Sequence, residues 1–222
     1  MSPRRGKPSL RRKVGTREAR PRLLIACEGT VTECQYIEGL KRYLQSQLVE
    51  LRDCRTLGIG CDPLNVVKAA IDERNKEARK ADARGDANLR FDEVWCLVDV
   101  DEHTTLLPAL ETAKRNGIKV VVSNPSFELW LLYHFQDYLS AVSRDHLAKN
   151  KLPKRIPGYD KHLPDDFPFA AHEAARQRAQ RACPEHTEAN RNGPNPSTNV
   201  WLVVDAVSDT GKRGREVKRA RG

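Results

Sequence analysis

Four short apolar runs alternate with stretches of helical periodicity, and this alternation restricts the fold more than any other feature of the chain. The runs are RLLIAC (22–27), LGIGC (57–61), VWCLVDV (94–100) and IKVVVS (118–123). They are continuous in apolar character, as strands covered on both faces must be. After the first, Tyr36, Ile37, Leu40, Tyr43, Leu44, Leu48 and Leu51 recur at helical spacing, with Thr32 as the expected cap. After the second, Asp62-Pro63 supplies a cap and a first-turn proline for a helix bearing Val66, Val67, Ala70 and Ile71. Leu106, Leu107, Leu110 and Ala113 predict a helix over 104–116 closed at Asn116-Gly117, and SFELWLLYHF (126–135) reads as an apolar helix. Strand–helix units repeated in this way predict an α/β fold. Its sheet is mainly parallel and Rossmann-like, with flanking helices on both faces and its site at the carboxyl ends of the strands.

Past residue 140 the pattern loosens. Pro153, Pro157, Gly158, Pro164 and Pro168 predict an irregular loop over 150–169, HEAARQRAQRA (172–182) a polar helix, and 198–208 a helix behind Ser197 or Thr198, although its valines also suit a strand. The charged run 72–90 reads as a solvated helix end and loop. The expected organisation is a basic disordered tail over 1–20, an α/β core over 21–140, a loop and helical C-terminal extension of the same domain over 141–210, and a second basic tail over 211–222.

Charge is distributed unevenly. Of the formal +9, residues 1–20 hold eight Lys/Arg against Glu18, and residues 212–222 hold six against Glu216, so the body between them is mildly acidic. Basic ends around an acidic body suit tails that meet a polyanion while the body keeps carboxylates for other work. No apolar run approaches the ~20 residues that span a bilayer, so the expectation is a cytoplasmic protein with no membrane contact. Six cysteines without a C-x-x-C pair read as reduced thiols, Cys27 and Cys96 as small buried hydrophobes. His172, Cys183 and His186 are too irregularly spaced to read as a zinc site. Trp95, Trp130 and Trp201 sit among aliphatic residues and read as core, as does His134 on its apolar helix.

Carboxylates collect just past the expected strand ends: Glu28 with Glu33, then Asp99-Val100-Asp101-Glu102-His103, then Glu128. A parallel sheet brings these to one edge. An i, i+2 pair in extended geometry points both carboxylates the same way, as two oxygen ligands of a hard Mg²⁺ or Mn²⁺ must. Like charges held so close repel unless a cation or proton intervenes. His103 reads as a ligand, a proton shuttle or a helix cap. Asn124, Ser126 and Thr198 could orient a phosphate or cap helices.

A glutamate-glycine at the end of the first strand and a D-x-D at the end of a later one resemble the Toprim domain, the metal-binding module of topoisomerases, primases and OLD-family nucleases. CEGTVTECQYIEGL (27–40), WCLVDVDEH (95–103), SNPSFELWLLYHF (123–135), GYDK (158–161) and NPSTNV (195–200) look like the successive motifs of the RloB-like family, over residues 22 to 208. The resemblance implies a Toprim-like fold and a metal-dependent nuclease in bacterial phage defence of the abortive-infection type, with nucleic acid (RNA or DNA) as substrate and an AAA- or ABC-type ATPase as partner. It leaves a homodimer open. Carried over, Glu28 would be the general acid/base or a ligand, Asp99 and Asp101 ligands of Mg²⁺ (or Mn²⁺), and Glu33 or Glu128 the source of a second metal site. Lys161, in GYDK, would offset transition-state charge, or it is an ordinary surface lysine.

Two rival readings stand beside this one. The strand-D-x-D pattern also opens haloacid-dehalogenase phosphatases, but these want Thr or Val where His103 stands and leave Glu28 unemployed. The other rival is a non-catalytic Toprim-like module that binds nucleic acid or a partner. No Walker A sequence is present, so an ATP-driven step would belong to a partner.

Overall fold

Every residue of β1 (Leu23–Cys27) is buried, and its side chains divide by alternation between two cores. Leu23, Ile25 and Cys27 face one, Leu24 and Ala26 the other. In this computed structural model, which describes residues 22–47, 54–100 and 105–208, β1 is an inner strand of a five-stranded mixed α/β sheet. The others are β2 (Cys54–Gly58), β3 (Glu93–Asp99), β4 (Lys119–Asn124) and β5 (Ser197–Thr198). The order is β2-β1-β3-β4-β5, parallel except for β5, which runs antiparallel to β4.

The helices, in chain order, are α1 (Thr32–Ser46), α2 (Pro63–Arg84), α3 (Leu106–Arg115), α4 (Glu128–Tyr133), the short α5 (Arg144–His146), α6 (His172–Ala182) and α7 (201–208). α1, α4, α6 and α7 cover one face of the sheet and α2 with α3 the other. An aromatic cluster locks α1 to α4: Tyr36 meets Phe127, Trp130 and His134 edge-on, with ring centroids 5.6, 6.2 and 5.4 Å away. Each such pair contributes about 0.5–1.5 kcal/mol beyond area burial. The cluster matters for the site because α1 and α4 carry Glu33 and Glu128.

The topology places the site. From β1 the chain passes through α1 to β2 on one side, then returns through α2 to β3 on the other. Connections therefore diverge between neighbouring β1 and β3, which opens a crevice at their carboxyl ends.

The second apolar run differs from its reading as a strand over 57–61. The strand lies at 54–58, because glycines there serve close approach and turning. A Cβ on Gly58 would lie 2.7 Å from Thr30 Cα, and Gly60 turns the chain at φ +69. The charged run 72–90 is a helix end and loop as read: α2 continues to Arg84, and its polar residues find partners, Glu73 pairing with Arg55 at 2.5 Å and Glu77 with Lys80 at 2.6 Å. It closes at Gly85, φ +61. Asp62 caps it as expected, accepting from the amides of Leu64 and Asn65.

Thr32 is not the cap of α1. Val31 holds that position without a side-chain bond, and the Thr32 hydroxyl donates to the carbonyl of Lys161 at 2.6 Å. Ser197 and Thr198 form β5 and not a helix start, since their partners are Asn124 and Ser123; Thr198 Oγ1 lies 2.9 Å from Ser123 Oγ. The loop expected over 150–169 begins as ordered turns, a π turn at Leu147–Lys151 and a 3-10 turn at Leu152–Lys154. α6 spans 172–182 as read.

Trp95, Trp130, Trp201, Cys27 and Cys96 are buried. His134 is buried too, with Nε2 3.2 Å from the Tyr36 hydroxyl and Nδ1 3.1 Å from the carbonyl of Trp130. Burial holds its imidazole neutral, down to about 3. The tails expected over 1–20 and 211–222 lie outside the described residues. Among the described residues no helix is long and apolar enough to cross a membrane.

Candidate functional site

The chain leaves β1 at Glu28, whose amide donates to the Leu97 carbonyl at 3.0 Å and so extends the ladder by one bond. The Glu28 carboxylate then turns across the sheet edge, where Oε2 accepts the amide of Asp99 at 3.1 Å. Gly29 follows, and its amide donates to Glu33 Oε1 at 3.2 Å. With glycine here the Glu33 carboxylate can lie against the strand end, since a Cβ would lie 2.1 Å from Glu33 Oε2 and move that carboxylate away. The first turn of α1 thereby folds Glu33 back over the strand end.

Glu128, the first residue of α4, accepts a hydrogen bond from the Tyr159 hydroxyl at 3.2 Å. Asp99, the last residue of β3, receives Arg144 Nη2 on Oδ2 at 2.9 Å. These four carboxylates, with Arg144 and Lys161, line one cleft of about 360 Å³. Lys161 stands in a left-handed turn, φ +78, exposed at the cleft mouth. Each of the four carboxylates has one oxygen held by a protein donor, which fixes its orientation as ligand-supporting bonds do.

The electrostatics record crowding. Burial first, then the charges of Glu33 and Glu128, push the Asp99 carboxyl well above the usual carboxylate range, against the opposing Arg144 guanidinium. Burial also raises Glu33, with Glu128 adding to it, while the Gly29 amide and Lys161 pull the other way. One arginine and one lysine leave these acids mutually repelled.

Such a donor set fits a hard divalent cation: the acids supply only oxygen, on a wall already short of positive charge. Among the described residues no three His, Cys, Asp or Glu side chains are gathered to hold a metal ion. Asp99 is turned to Arg144 and Glu28 to the Asp99 amide. Ligation would require Asp99 to exchange its partner.

Of the residues singled out from sequence, Glu28, Glu33, Asp99, Glu128 and Lys161 are brought together. Asp101 and His103 lie outside the described residues. Asn124 and Ser126 do not line the cleft: the Asn124 amide donates to the Gly193 carbonyl at 2.8 Å, and the Ser126 hydroxyl is fully buried. Cys183 and His186 are buried, and His186 Nε2 lies 3.0 Å from the carbonyl of Arg191.

Sequence reasoning missed Arg144. It lies in a polar stretch with no periodicity, and only the fold returns it to the end of β3. Tyr159 was within reach, since it stands in GYDK beside Lys161.

A family model described as RloB-like protein matches residues 23–207. No curated protein and no solved structure matches the chain.

Proposed function

The chain belongs to the RloB-like protein family, and from that premise we propose that it is a Toprim-like, metal-dependent nuclease that hydrolyses phosphodiester bonds of RNA or DNA. The observation that carries this reading is the joining of Glu28 to Asp99 at the diverging strand ends, with Glu33 and Glu128 in the same cleft. A site of this kind needs carboxylates from separate strands, oriented before substrate arrives.

In this reading Asp99, Asp101, Glu33 and Glu128 hold Mg²⁺ or Mn²⁺. The bound ion would supply Lewis-acid charge that favours a hydroxide nucleophile and offsets charge on the leaving oxygen. Glu28, already fixed through Oε2, takes the proton of the attacking water as general base. The water oxygen bonds to phosphorus, the ester bond to the leaving oxygen breaks, that oxygen takes a proton from solvent water, and Glu28 returns its own proton to solvent. Lys161 stabilises charge on the phosphoryl oxygens from the mouth of the cleft. The biological setting that accords with the family is phage defence by abortive infection, with an ATPase as partner.

The Asp99–Arg144 ion pair supports a second reading, because a carboxylate already neutralised by a fixed cation needs no metal. The cleft would then bind nucleic acid or a partner without turnover. Cleavage of tRNA, single-stranded RNA, single-stranded DNA and plasmid with Mg²⁺ or Mn²⁺, beside Asp99→Ala and Glu28→Ala, decides between them. Metal-dependent cleavage lost in both variants upholds the nuclease. No cleavage of any substrate, even with a partner ATPase and ATP, selects the binding module.

A further inference from the structure

Both ends of the segment 144–161 enter the cleft, Arg144 at one and Lys161 at the other. The segment carries Arg144, Lys149, Lys151, Lys154, Arg155 and Lys161 against Asp145 and Asp160. Leu147, Leu152 and Ile156 anchor it in the core, so these cations are displayed from a fixed backbone. The segment thus puts a cation at each end into a cleft lined by five carboxylates, Asp62 with the four above.

Those carboxylates repel a phosphodiester, which can settle among them only if cations meet it there. Arg144 is placed to do so. Its side chain remains 36% exposed while that of Asp99 is 12% exposed, so the guanidinium sits between the buried acid and the open cleft. A guanidinium matches a phosphate as well as a carboxylate, through parallel N–H donors. A divalent cation on Asp99 would replace the arginine as its counter-charge and release those donors.

We infer that Arg144 is a phosphate-binding residue of this cleft, held on Asp99 until a metal ion displaces it. The inference rests on the phosphodiester reading above. The ion pair then keeps Asp99 compensated when no metal is bound, and Lys161 offers the cleft a second cation for the nucleic-acid backbone.

Two measurements on the full chain test this, neither of them catalytic. One is Mn²⁺ affinity by titration; the other is anisotropy of a fluorescein-labelled single-stranded oligonucleotide with Ca²⁺ in place of Mg²⁺. They are made on wild type, Arg144→Ala, Arg144→Lys and Lys80→Ala. Lys80 is a charge control, about 25 Å along α2 from the cleft by helical rise.

Arg144→Ala is expected to bind Mn²⁺ about three- to tenfold tighter, because Asp99 no longer has a competing cation. It should bind the oligonucleotide about tenfold more weakly. Arg144→Lys should fall between, and Lys80→Ala should match wild type. Loss of charge alone would leave Arg144→Lys at the wild-type affinity for both, because lysine keeps the cation and lacks only the parallel N–H donors. If Mn²⁺ binds wild type but neither affinity changes in Arg144→Ala, the inference fails and the nuclease reading stands. If Mn²⁺ binds none of the proteins, the metal-dependent reading fails and the displacement with it.

Discussion

Glu28 and Asp99, 71 residues apart, are joined across the two neighbouring strands β1 and β3: Oε2 of the first accepts the amide hydrogen of the second at 3.1 Å. The same carboxylate that organises the sheet edge is the proposed base, and the two roles separate by substitution. Glu28→Gln keeps an acceptor of the same shape and should melt within a degree or so of wild type, yet lose cleavage by about 10²-fold or more. Glu28→Ala removes the bond as well and should cost about 1 kcal/mol. Thermal melts run beside a cleavage assay read both; a Glu28→Gln protein with wild-type cleavage would leave Glu28 a structural role alone.

Asp99 is a buried acid among acids, and its carboxyl titrates well above the usual range. A folded-state value raised above the unfolded one means that Asp99 favours the fold at low pH and opposes it as pH rises through the raised value. Asp99→Asn should therefore stabilise the metal-free protein at neutral pH, on the order of 1 kcal/mol or about 2–4 °C. Mg²⁺ or Mn²⁺ should raise the melting temperature of wild type and not of Asp99→Asn. Equal shifts in both proteins would remove Asp99 from the ligand set.

Gly29 stands where a side chain would strike Glu33. Gly29→Ala is expected to push the Glu33 carboxylate off its amide donor while leaving the buried strand intact. Activity should drop about tenfold or more for a loss of about 1–2 kcal/mol in stability. Circular dichroism melts and cleavage rates on one preparation would show it, and unchanged rates would mean Glu33 is dispensable.

His134 gives the protein a pH dependence remote from the cleft. Its imidazole is neutral in the fold, down to about 3, while an unfolded chain takes up that proton near 6.5. The unfolded state then binds more protons between these values, so stability is full above about 6.5 and falls with pH through the window. At pH 5 the loss from this one group is about 2 kcal/mol. His134→Gln should flatten the decline in melting temperature between pH 7 and pH 5; an unaltered slope would assign the dependence elsewhere. His186, shifted the same way by its burial, keeps part of the slope in the variant.

The central sheet was legible because its strands are covered on both faces, which writes continuous apolar runs into the chain. β1, β3 and β4 stand within one residue of the runs beginning at Arg22, Val94 and Ile118. LGIGC misled by three residues because glycine at 58 and 60 serves the site loop and not the strand. How far α2 runs into its charged half was not legible, since its support there is ion pairs to Arg55 and Arg22, which no periodicity announces. In the site, acids directly following strands were readable, because parallel topology sends every strand end to one edge. Arg144 was not: its place depends on how the chain returns after α4, a matter of packing that leaves no local pattern.

The divergence of the chain between β1 and β3 also orders the site in time. A ribosome releases Glu28 and Glu33 early, but their partner Asp99 follows only after α2 has been made, and Glu128, Arg144 and Lys161 later still. A nascent chain ending before β3 holds two of the five strands and no cleft. Whatever chemistry the cleft performs is therefore withheld from the unfinished polypeptide.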